Sequence, residues 1–577
     1  MDTGNLEVKQ EIGEFGISDR MKSRVEMKKT TIACLTMLAV LTLTACGSKT
    51  AGGVGSEAGS NAATMNGKTP GAAAGAPEGS AGKKDANASS NLEAGTDTRS
   101  NFVFGDYVGN VDPASGAYAW VGMRTGVMES LFRFDENLNV EKNLVKEYSV
   151  SDDGLAWTIE LRDGVLFQSG NPMDAEAVKA SLLRTCSMQS RAAQELNIAS
   201  IDAEGNTLKI TTNTPNPVLP NCLCDPYSGI VDVKSLDDAG NATIGTGPFK
   251  LVEYVENQRM ELDAFDDYWG GRPASKHVTI RAINDLDASS MALQKGELDA
   301  CYGLSYDARD LFDGTKGFKI SQAATSRVYK IYFNLEHEFT GDPAFRKAIC
   351  MAVDRENYAK VLVNGAGTPT KTTFPAVTAF SDEASLANVP DFDMEGAKKL
   401  LEEHGYRDSD GDGILDKDGE KVSLQIITYG RTGLPQSSQA LQSALSQLGI
   451  EASVEQLDST EDRGHAGTFD LSVYAEVTLP TGDPYSYLMN SYGTDGTNNF
   501  GRYSNAEVDA LLGELAVEFD TGRRAELAKQ IDKTVLADNS YCNMFHLNMY
   551  MAMKDTVEGL EQSPVDYYHI TAQTCVK

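Results

Sequence analysis

The pattern of apolar and polar residues is clearest between positions 157 and 182. Apolar residues alternate with polar ones over Trp157–Leu161, which is the period of a strand with one buried face. Asp163 and the glycine after it predict a turn into a second short strand at 165–167, giving a hairpin. Asp174 is then placed to cap a helix, because the apolar residues that follow it over 175–182 recur at helical spacing.

The second half of the chain predicts an α/β lobe. From about residue 334 to about residue 536, amphipathic segments alternate with short apolar runs rich in β-branched residues. The helices are predicted at 394–405, 436–448 and 505–518, and the strands at 422–428, 451–456 and 470–474.

The N-terminal region has the sequence features of an exported protein and lacks the apolar pattern of a folded domain. A positive start at Met27 and an apolar run to Ala45 predict a signal peptide, 27–45. The last residues of that run and Cys46 resemble the lipobox of bacterial lipoproteins, which implies cleavage before Cys46 and its lipidation. Residues 1–26 are charged and do not suit a signal peptide, so they indicate a start codon assigned too far upstream. Residues 46–98 are rich in Gly, Ala, Ser and Asn and predict a flexible linker.

Charge and motif content exclude several classes of function. A net charge of −32 in 577 residues argues against nucleic acid binding, which needs a basic face. The six histidines form no His-Glu-x-x-His pair, and the chain has no phosphate loop, dinucleotide fingerprint or Gly-x-Ser-x-Gly elbow. These features therefore predict no enzymatic activity and no cofactor.

Four stretches in order carry a family resemblance. The segment from Trp157 through Gly164, Phe167, Gly170 and Asp174 to Val178 closely resembles the signature of family 5 extracellular solute-binding proteins. These are the oligopeptide, dipeptide and nickel receptors of ABC importers. Three further stretches agree with the family in order and spacing: Ile244–Phe249, Val328–Asn334 and Phe345–Arg355.

The resemblance implies an α/β fold of the two-lobed periplasmic-binding-protein type (type II, cluster C), with an extra subdomain in lobe I and crossing strands that join the lobes. Lobe I is expected at 99–328 and 545–577, and lobe II at 329–544. The implied protein is a monomeric, lipid-anchored receptor on the extracytoplasmic side of the cell membrane. It would bind a short peptide or a nickel or other metal chelate and deliver it to a permease and ATPase complex.

The same resemblance, with residue chemistry, suggests the wall of the ligand cleft. An arginine near the position of Arg191 binds carboxylates of a metal chelate in the nickel branch, and aromatic residues suit flat or apolar groups. An acidic residue could bind an amine. The predicted ligand contacts are Tyr118, Trp120, Arg191, Tyr474, Asp483, Tyr485 and Tyr567.

Two ligand signatures of the family are absent from this chain. Pro480 occupies the place where dipeptide receptors carry an Asp that binds the α-amino group, and residues 491–499 contain no His to contact a metal. The sequence therefore leaves peptide and metal chelate open. A sensor or chaperone-like lipoprotein with the same fold and no permease is the alternative, and neighbouring permease and ATPase genes would favour transport.

An acidic loop matches the first half of a calcium site. Asp408, Asp410, Asp412 and Asp416 have the spacing of calcium ligands in an EF-hand. The twelfth position, which should be a bidentate Glu, is Gly419. The loop therefore predicts either a calcium site or an ordinary acidic turn between a helix and a strand.

Overall fold

The computed structural model describes residues 97–577 apart from 116–118 and 284. The predicted signal peptide, Cys46 and Tyr118 lie outside the described residues. Within the described part of the chain, no helix combines the length and the apolar character needed to cross a bilayer.

The strands are numbered in chain order. They are β1 (Asn101–Asp106), β2 (Phe132–Phe134), β3 (Val140–Lys142), β4 (Val145–Val150), β5 (Ala156–Leu161), β6 (Ile198–Glu204), β7 (Thr207–Thr212), β8 (Phe249–Val255), β9 (Arg259–Ala264), β10 (His277–Ala282), β11 (Ala300–Tyr302), β12 (Phe318–Phe333), β13 (Gly367–Pro369), β14 (Asp416–Lys417), β15 (Glu420–Lys421), β16 (Ser423–Tyr429), β17 (Glu451–Leu457), β18 (Leu471–Val477), β19 (Tyr541–Lys554), β20 (Val557–Glu558) and β21 (Cys575–Val576).

The α-helices are numbered in the same way. They are α1 (Trp120–Arg124), α2 (Ala175–Met188), α3 (Ser190–Leu196), α4 (Leu219–Cys222), α5 (Leu286–Gln294), α6 (Pro343–Met351), α7 (Arg355–Asn357), α8 (Met394–Glu403), α9 (Leu434–Gln447), α10 (Glu461–Ala466), α11 (Tyr485–Tyr492), α12 (Ala506–Leu515) and α13 (Thr521–Ala537).

One eleven-stranded sheet runs through the molecule in the order β17-β16-β18-β12-β19-β11-β1-β10-β9-β8, with β13 paired to β19 beside this path. The two long strands β12 and β19 lie at its centre and pair antiparallel along most of their length. On one side they contact the strands of the C-terminal half, and on the other the strands of the N-terminal half. The same two strands therefore belong to both halves of the protein.

The pairing of β12 with β19 is interrupted at its middle. The register shifts between Ala324 and Val328, and again after Tyr329. The predicted lobe boundaries fall at this level, since Val328 pairs with His546 and Tyr329 with Phe545. A bulge bends a strand and re-aims its side chains, so this point is suited to a hinge. The boundaries themselves stay a prediction.

A smaller sheet, β4-β5-β7-β6, contains the alternating segment Trp157–Leu161. Trp157, Ile159 and Leu161 are buried as the alternation predicted, and the Asp174 side chain accepts from the Ala177 N–H at 2.9 Å, which confirms the helix cap. The predicted hairpin is wrong. β5 pairs with β4 on one edge and β7 on the other, so no edge remains for residues 165–167.

Residues 165–167 instead lead to a buried glutamine that joins two of the family stretches. Gln168 Nε2 lies 2.8 Å from the Val127 carbonyl oxygen, 3.0 Å from that of Gly247 and 2.7 Å from that of Phe249. Its Oε1 accepts from the Gly245 N–H at 3.1 Å. The side chain therefore fixes the glycine-rich turn before β8 to the loop after β5.

We expect Gln168→Leu to lower the free energy of unfolding by about 3 kcal/mol, because buried carbonyl and N–H groups lose their partner. Urea unfolding followed by circular dichroism measures the change. Gln573→Leu is the matched control, since Gln573 is exposed and its loss should change the free energy by less than about 0.5 kcal/mol. Equal effects of the two substitutions would contradict the role of Gln168.

Candidate functional site

Three of the predicted ligand contacts line one cavity of about 320 Å³. Trp120 begins α1, Arg191 lies in α3, and Tyr567 lies in the C-terminal segment after β20. These residues are far apart in the chain, and the fold brings them together at one cavity, while their contact with a ligand stays a prediction. The rest of the cavity wall is formed by Ala119, Gln189, Ser190, Asp225, Pro226 and Tyr227.

Arg191 is held by two carboxylates. Its Nη2 lies 2.8 Å from Asp225 Oδ2, and its Nε lies 2.9 Å from Glu195 Oε1. The guanidinium carbon is 5.1 Å from the centre of the Tyr227 ring, and the Tyr227 hydroxyl donates to Glu195 at 2.7 Å. The side chain nevertheless keeps 47% of its surface exposed. Arg191 thus has a fixed orientation and an accessible edge at the cavity.

A buried ionic cluster orients Trp120. The Arg124 guanidinium carbon lies 4.0 Å from the centre of the Trp120 ring, which is a cation–π contact. Arg124 Nη1 is 3.4 Å from Asp106 Oδ1, and His569 Nδ1 is 3.0 Å from Asp106 Oδ2. Burial alone would raise the pKa of Asp106, but Arg124 and His569 hold it below its ordinary value. The cluster ties α1 to β1 and to the C-terminal segment.

Tyr474 belongs to an aromatic wall formed by the C-terminal half. It lies on β18, and its ring centre is 5.4 Å from that of Tyr429, 6.0 Å from that of Tyr332 and 6.0 Å from that of Phe500. Burial raises the pKa of the Tyr474 hydroxyl. The hydroxyl therefore stays neutral near pH 7, and the ring offers an apolar surface.

Asp483 and Tyr485 line a different cavity, of about 410 Å³, whose wall comes from both halves of the chain. Asp483 Oδ2 accepts from Arg524 Nε at 2.9 Å, and Oδ1 accepts from Arg524 Nη2 at 2.6 Å. Both oxygens of this buried carboxylate are thus engaged by a bidentate partner. Binding of a ligand amine by Asp483 stays a prediction, and the structure gives this side chain a role in packing α11 on α13.

A third cavity, of about 370 Å³, lies beside the crossing strands. Tyr306 contributes to its wall from the N-terminal half, Tyr329 and Tyr550 from β12 and β19, and Arg431 from the C-terminal half. Arg431 and the nearby Arg327 were not among the predicted ligand contacts. Arg431 closely follows a buried strand, and Arg327 lies within a strand. Arginines in such positions are too common in sequences to indicate a binding site.

Comparison with known proteins identifies the family. The model described as bacterial extracellular solute-binding proteins, family 5 Middle, matches residues 139–499, more than half of the chain. The chain belongs to this family. Solute binding, rather than catalysis, is the activity of family 5 proteins, and their place of action is outside the cytoplasm.

Individual relatives include receptors for different solutes. The chain is 28% identical to the nickel-binding protein NikA of Staphylococcus aureus over 464 residues, which is 79% of this chain and 90% of NikA. It is 27% identical to the oligopeptide-binding protein AppA of Bacillus subtilis, over 85% of this chain and 94% of AppA. The crystal structure of the nickel ABC transporter protein from Bacillus halodurans superposes with a TM-score of 0.74 at 30% identity, over 83% of this chain and 99% of that one.

These comparisons confirm the predicted fold class of this family 5 protein. The large mixed sheet with helices on both halves matches the two-lobed receptors, and the crossing strands β12 and β19 are the connection between the lobes. The resemblance drawn from four short stretches in the sequence is therefore correct. The ligand contacts are a separate matter, and they remain predictions.

The acidic loop of this family 5 protein brings three predicted calcium ligands together. Oxygens of Asp408, Asp410 and Asp416 lie within 4.8 Å of one another, with Asp408 and Asp410 exposed and Asp416 half-buried. Asp412 instead contacts the Lys421 ammonium, which is also 3.6 Å from Asp410. A lysine therefore already neutralises part of the loop, and calcium binding stays a prediction.

Asp225, in the wall of the Arg191 cavity, makes the stability of the folded protein depend on pH. Its side chain is only 3% exposed, and burial raises its pKa from 3.8 to about 6 although Arg191 acts in the opposite direction. A carboxyl group whose pKa is raised on folding stabilises the folded state fully below its unfolded pKa. That contribution is lost as the pH rises through the folded pKa.

We therefore expect Asp225→Asn to remove a decline in stability between pH 4 and pH 6, worth about 3 kcal/mol in the free energy of unfolding. Urea unfolding at several pH values measures it as the difference between wild type and variant, since other carboxyl groups titrate in the same range. Asp152→Asn at an exposed position is the control and should keep the wild-type slope. An unchanged slope in Asp225→Asn would contradict the assignment.

Proposed function

We propose that this protein is the binding subunit of an ABC importer, which captures a small solute between its lobes and presents it to a membrane permease. The observation that carries the proposal is the cavity beside β12 and β19, whose wall is contributed by both halves of the chain. A solute bound there contacts both lobes at once. It therefore favours the closed arrangement, which a permease can distinguish from the open one.

The size and chemistry of the cavities favour a compact solute. Volumes of about 320 to 410 Å³ lie near the lower end of the range for small-molecule sites. In the cavity of about 320 Å³, Trp120 and Tyr567 supply flat aromatic surface, and Arg191 supplies a cation with an exposed edge. We propose a metal chelate of amino-acid size as the solute, with a short peptide as the competing possibility.

The relatives support both possibilities and rank them. NikA of S. aureus is named for nickel and has been crystallised with Ni(L-His)2, in a structure that superposes with a TM-score of 0.66 at 26% identity. AppA is named for oligopeptides. Two of the relatives with the higher identity carry nickel in their names, which is why the chelate is placed first. The absent histidine at 491–499 means that the metal would be bound through its chelator rather than by a protein ligand there.

Anchoring in the membrane completes the proposal. Cys46 follows an apolar run and small residues, and we propose that it carries the lipid after removal of residues 27–45. The residues between Cys46 and the folded body are Gly- and Ala-rich, a composition that behaves as a flexible chain. The receptor would then reach its permease while remaining at the outer side of the cell membrane.

We expect nickel with L-histidine to raise the thermal unfolding midpoint of the chelator-treated protein, because a ligand that binds only the folded state stabilises it by mass action. Nickel alone and trialanine should leave the midpoint unchanged. Trp120→Ala should weaken the nickel–histidine complex about tenfold by calorimetry, since an aromatic contact is lost. Arg407→Ala, at an exposed position, should bind like wild type.

The outcomes separate the two solutes. A shift with trialanine and none with nickel–histidine would replace the chelate by a peptide. Equal shifts with nickel alone and with nickel–histidine would contradict binding of a chelate, since a bare metal site would explain them. Unchanged affinity in Trp120→Ala would remove this residue from the ligand wall.

Lipidation is tested in living cells. We expect Cys46→Ser to abolish incorporation of labelled palmitate and to shift the protein from the membrane fraction to the soluble fraction, because the thiol is the attachment point and acyl chains supply the membrane affinity. Cys34→Ser lies inside the predicted signal peptide and is the control, which should stay labelled and membrane-bound. Labelling that persists in Cys46→Ser would contradict the assignment.

A further inference from the structure

Two buried cysteines of the C-terminal half lie against each other. Cys350 belongs to the last turn of α6, and Cys542 is the second residue of β19. Both side chains are part of one hydrophobic core, and each residue is only 1% exposed. The two thiols are hydrogen-bonded to each other. Two cysteines that are remote in sequence therefore have their sulfurs in contact inside the folded protein.

A buried arginine fixes the position of Cys542 and activates its sulfur. Arg355 Nη2 lies 3.5 Å from Cys542 Sγ, and Arg355 Nε donates to the Asn543 carbonyl oxygen at 2.7 Å. The hydrogen bond with Cys350, together with the charge of Arg355, lowers the pKa of the Cys542 thiol. The thiolate is the form of cysteine that attacks a disulfide. The surroundings therefore make Cys542 the more reactive of the two thiols.

Other buried cysteines of the chain have ordinary surroundings. The Cys301 thiol lies 3.7 Å from the Tyr302 carbonyl oxygen, and the Cys224 thiol donates to the Pro220 carbonyl oxygen at 3.4 Å. Burial raises the pKa of both thiols, which is the behaviour of an unreactive core cysteine. Burial alone therefore does not account for the surroundings of Cys542.

The chemistry of the pair favours a disulfide over a metal site. The Arg355 guanidinium beside Cys542 Sγ repels a cation, and a structural zinc site needs four ligands. Within the described residues, the groups of three or more potential metal ligands are limited to the one in the acidic loop. Family 5 proteins are extracellular solute-binding proteins, and disulfides form and persist outside the cytoplasm.

We propose that Cys350 and Cys542 form a disulfide that joins α6 covalently to the crossing strand β19. The two residues are far apart in the chain, so the bond closes a long loop and restricts the unfolded state. It also ties the first residues of a crossing strand to a helix of the same hydrophobic core. The bond therefore stabilises the fold at one end of the strand that both halves share.

The exchange balances with the disulfide of a small thiol, such as oxidised glutathione, as the oxidant. The Cys542 thiolate attacks one glutathione sulfur, so that the glutathione S–S bond breaks and one glutathione leaves as a thiolate. The Cys350 thiolate then attacks the Cys542 sulfur, forms the protein disulfide and releases the second glutathione. The two cysteines lose two electrons and two protons, which the two released glutathione thiols carry. Because both sulfurs are almost inaccessible after folding, the exchange takes place while the chain folds.

Peptide mapping tests the disulfide directly. The reduced, unfolded protein is refolded with reduced and oxidised glutathione, its free thiols are alkylated in denaturant, and it is digested with trypsin without reductant. The tryptic peptides 348–355 and 534–554 each contain a single cysteine, Cys350 and Cys542 respectively. We expect these two peptides to be linked, with a mass lower by two hydrogen atoms than their sum, and to separate when a reductant is added.

The stability of the two redox forms gives a second readout. We expect the glutathione-oxidised wild-type protein to unfold at a midpoint about 5 °C or more above that of the reduced protein. Cys350→Ala and Cys542→Ala should each lose the linked peptides and most of this difference between redox forms. Cys301→Ala is the matched control, because Cys301 is also fully buried, and it should keep both the linked peptides and the difference.

The outcomes decide between a disulfide and two free thiols. Alkylation of both Cys350 and Cys542 after oxidative refolding would overturn the proposal, and so would a link from either of them to another cysteine. Equal midpoints of the oxidised and reduced wild-type protein would overturn the stabilising role. Should the alanine variants fold poorly, the peptide map of the wild-type protein still decides. No solute is used, so the result is independent of the proposed receptor function.

Discussion

The pairing of two long strands is the constraint on which the rest of the structure depends. β12 and β19 form the centre of the large sheet, and every other strand of that sheet is attached to one side of them. Because both strands pass from one half of the chain to the other, any motion between the halves must bend them. The register shift near Ala324–Val328 supplies a place where they can bend without breaking the ladder on either side.

Ion pairing determines which charged groups in the interior are neutralised. The protein has 83 acidic residues against 51 basic ones, and several interior cations are paired with carboxylates. Lys330 is fully buried, 2.8 Å from Glu476, with its ammonium 2.6 Å from the Tyr487 hydroxyl. Arg124 is likewise held by Asp106 and by the Asp566 carbonyl. These satisfied groups stiffen the lobes, and the buried Arg346 and Arg355 are satisfied in another way, by backbone carbonyl oxygens.

Much of the fold could be predicted from local pattern. The alternation at Trp157–Leu161, the cap at Asp174 and the helix that it begins are all present, because they depend on residues close in sequence. The hairpin failed for a non-local reason, since β4 and β7 occupy both edges of β5. Asp483 shows the same limit in the site. Its partner, Arg524, is 41 residues away in the chain, and nothing in the local sequence indicates that the carboxylate is already bound.

The sequence by itself determined the family, the α/β class and the acidic character, because motifs, periodicity and net charge are local or additive properties, and it predicted the export features. It also selected Trp120, Arg191 and Tyr567, which share a cavity. Only the tertiary structure decided which charged side chains are paired with one of opposite charge. Arg191 meets Asp225 and Glu195, Asp483 meets Arg524, and Arg327 and Arg431 meet no carboxylate among the described residues. Pairing and desolvation depend on distances between elements remote in sequence, and these are fixed only when the chain folds.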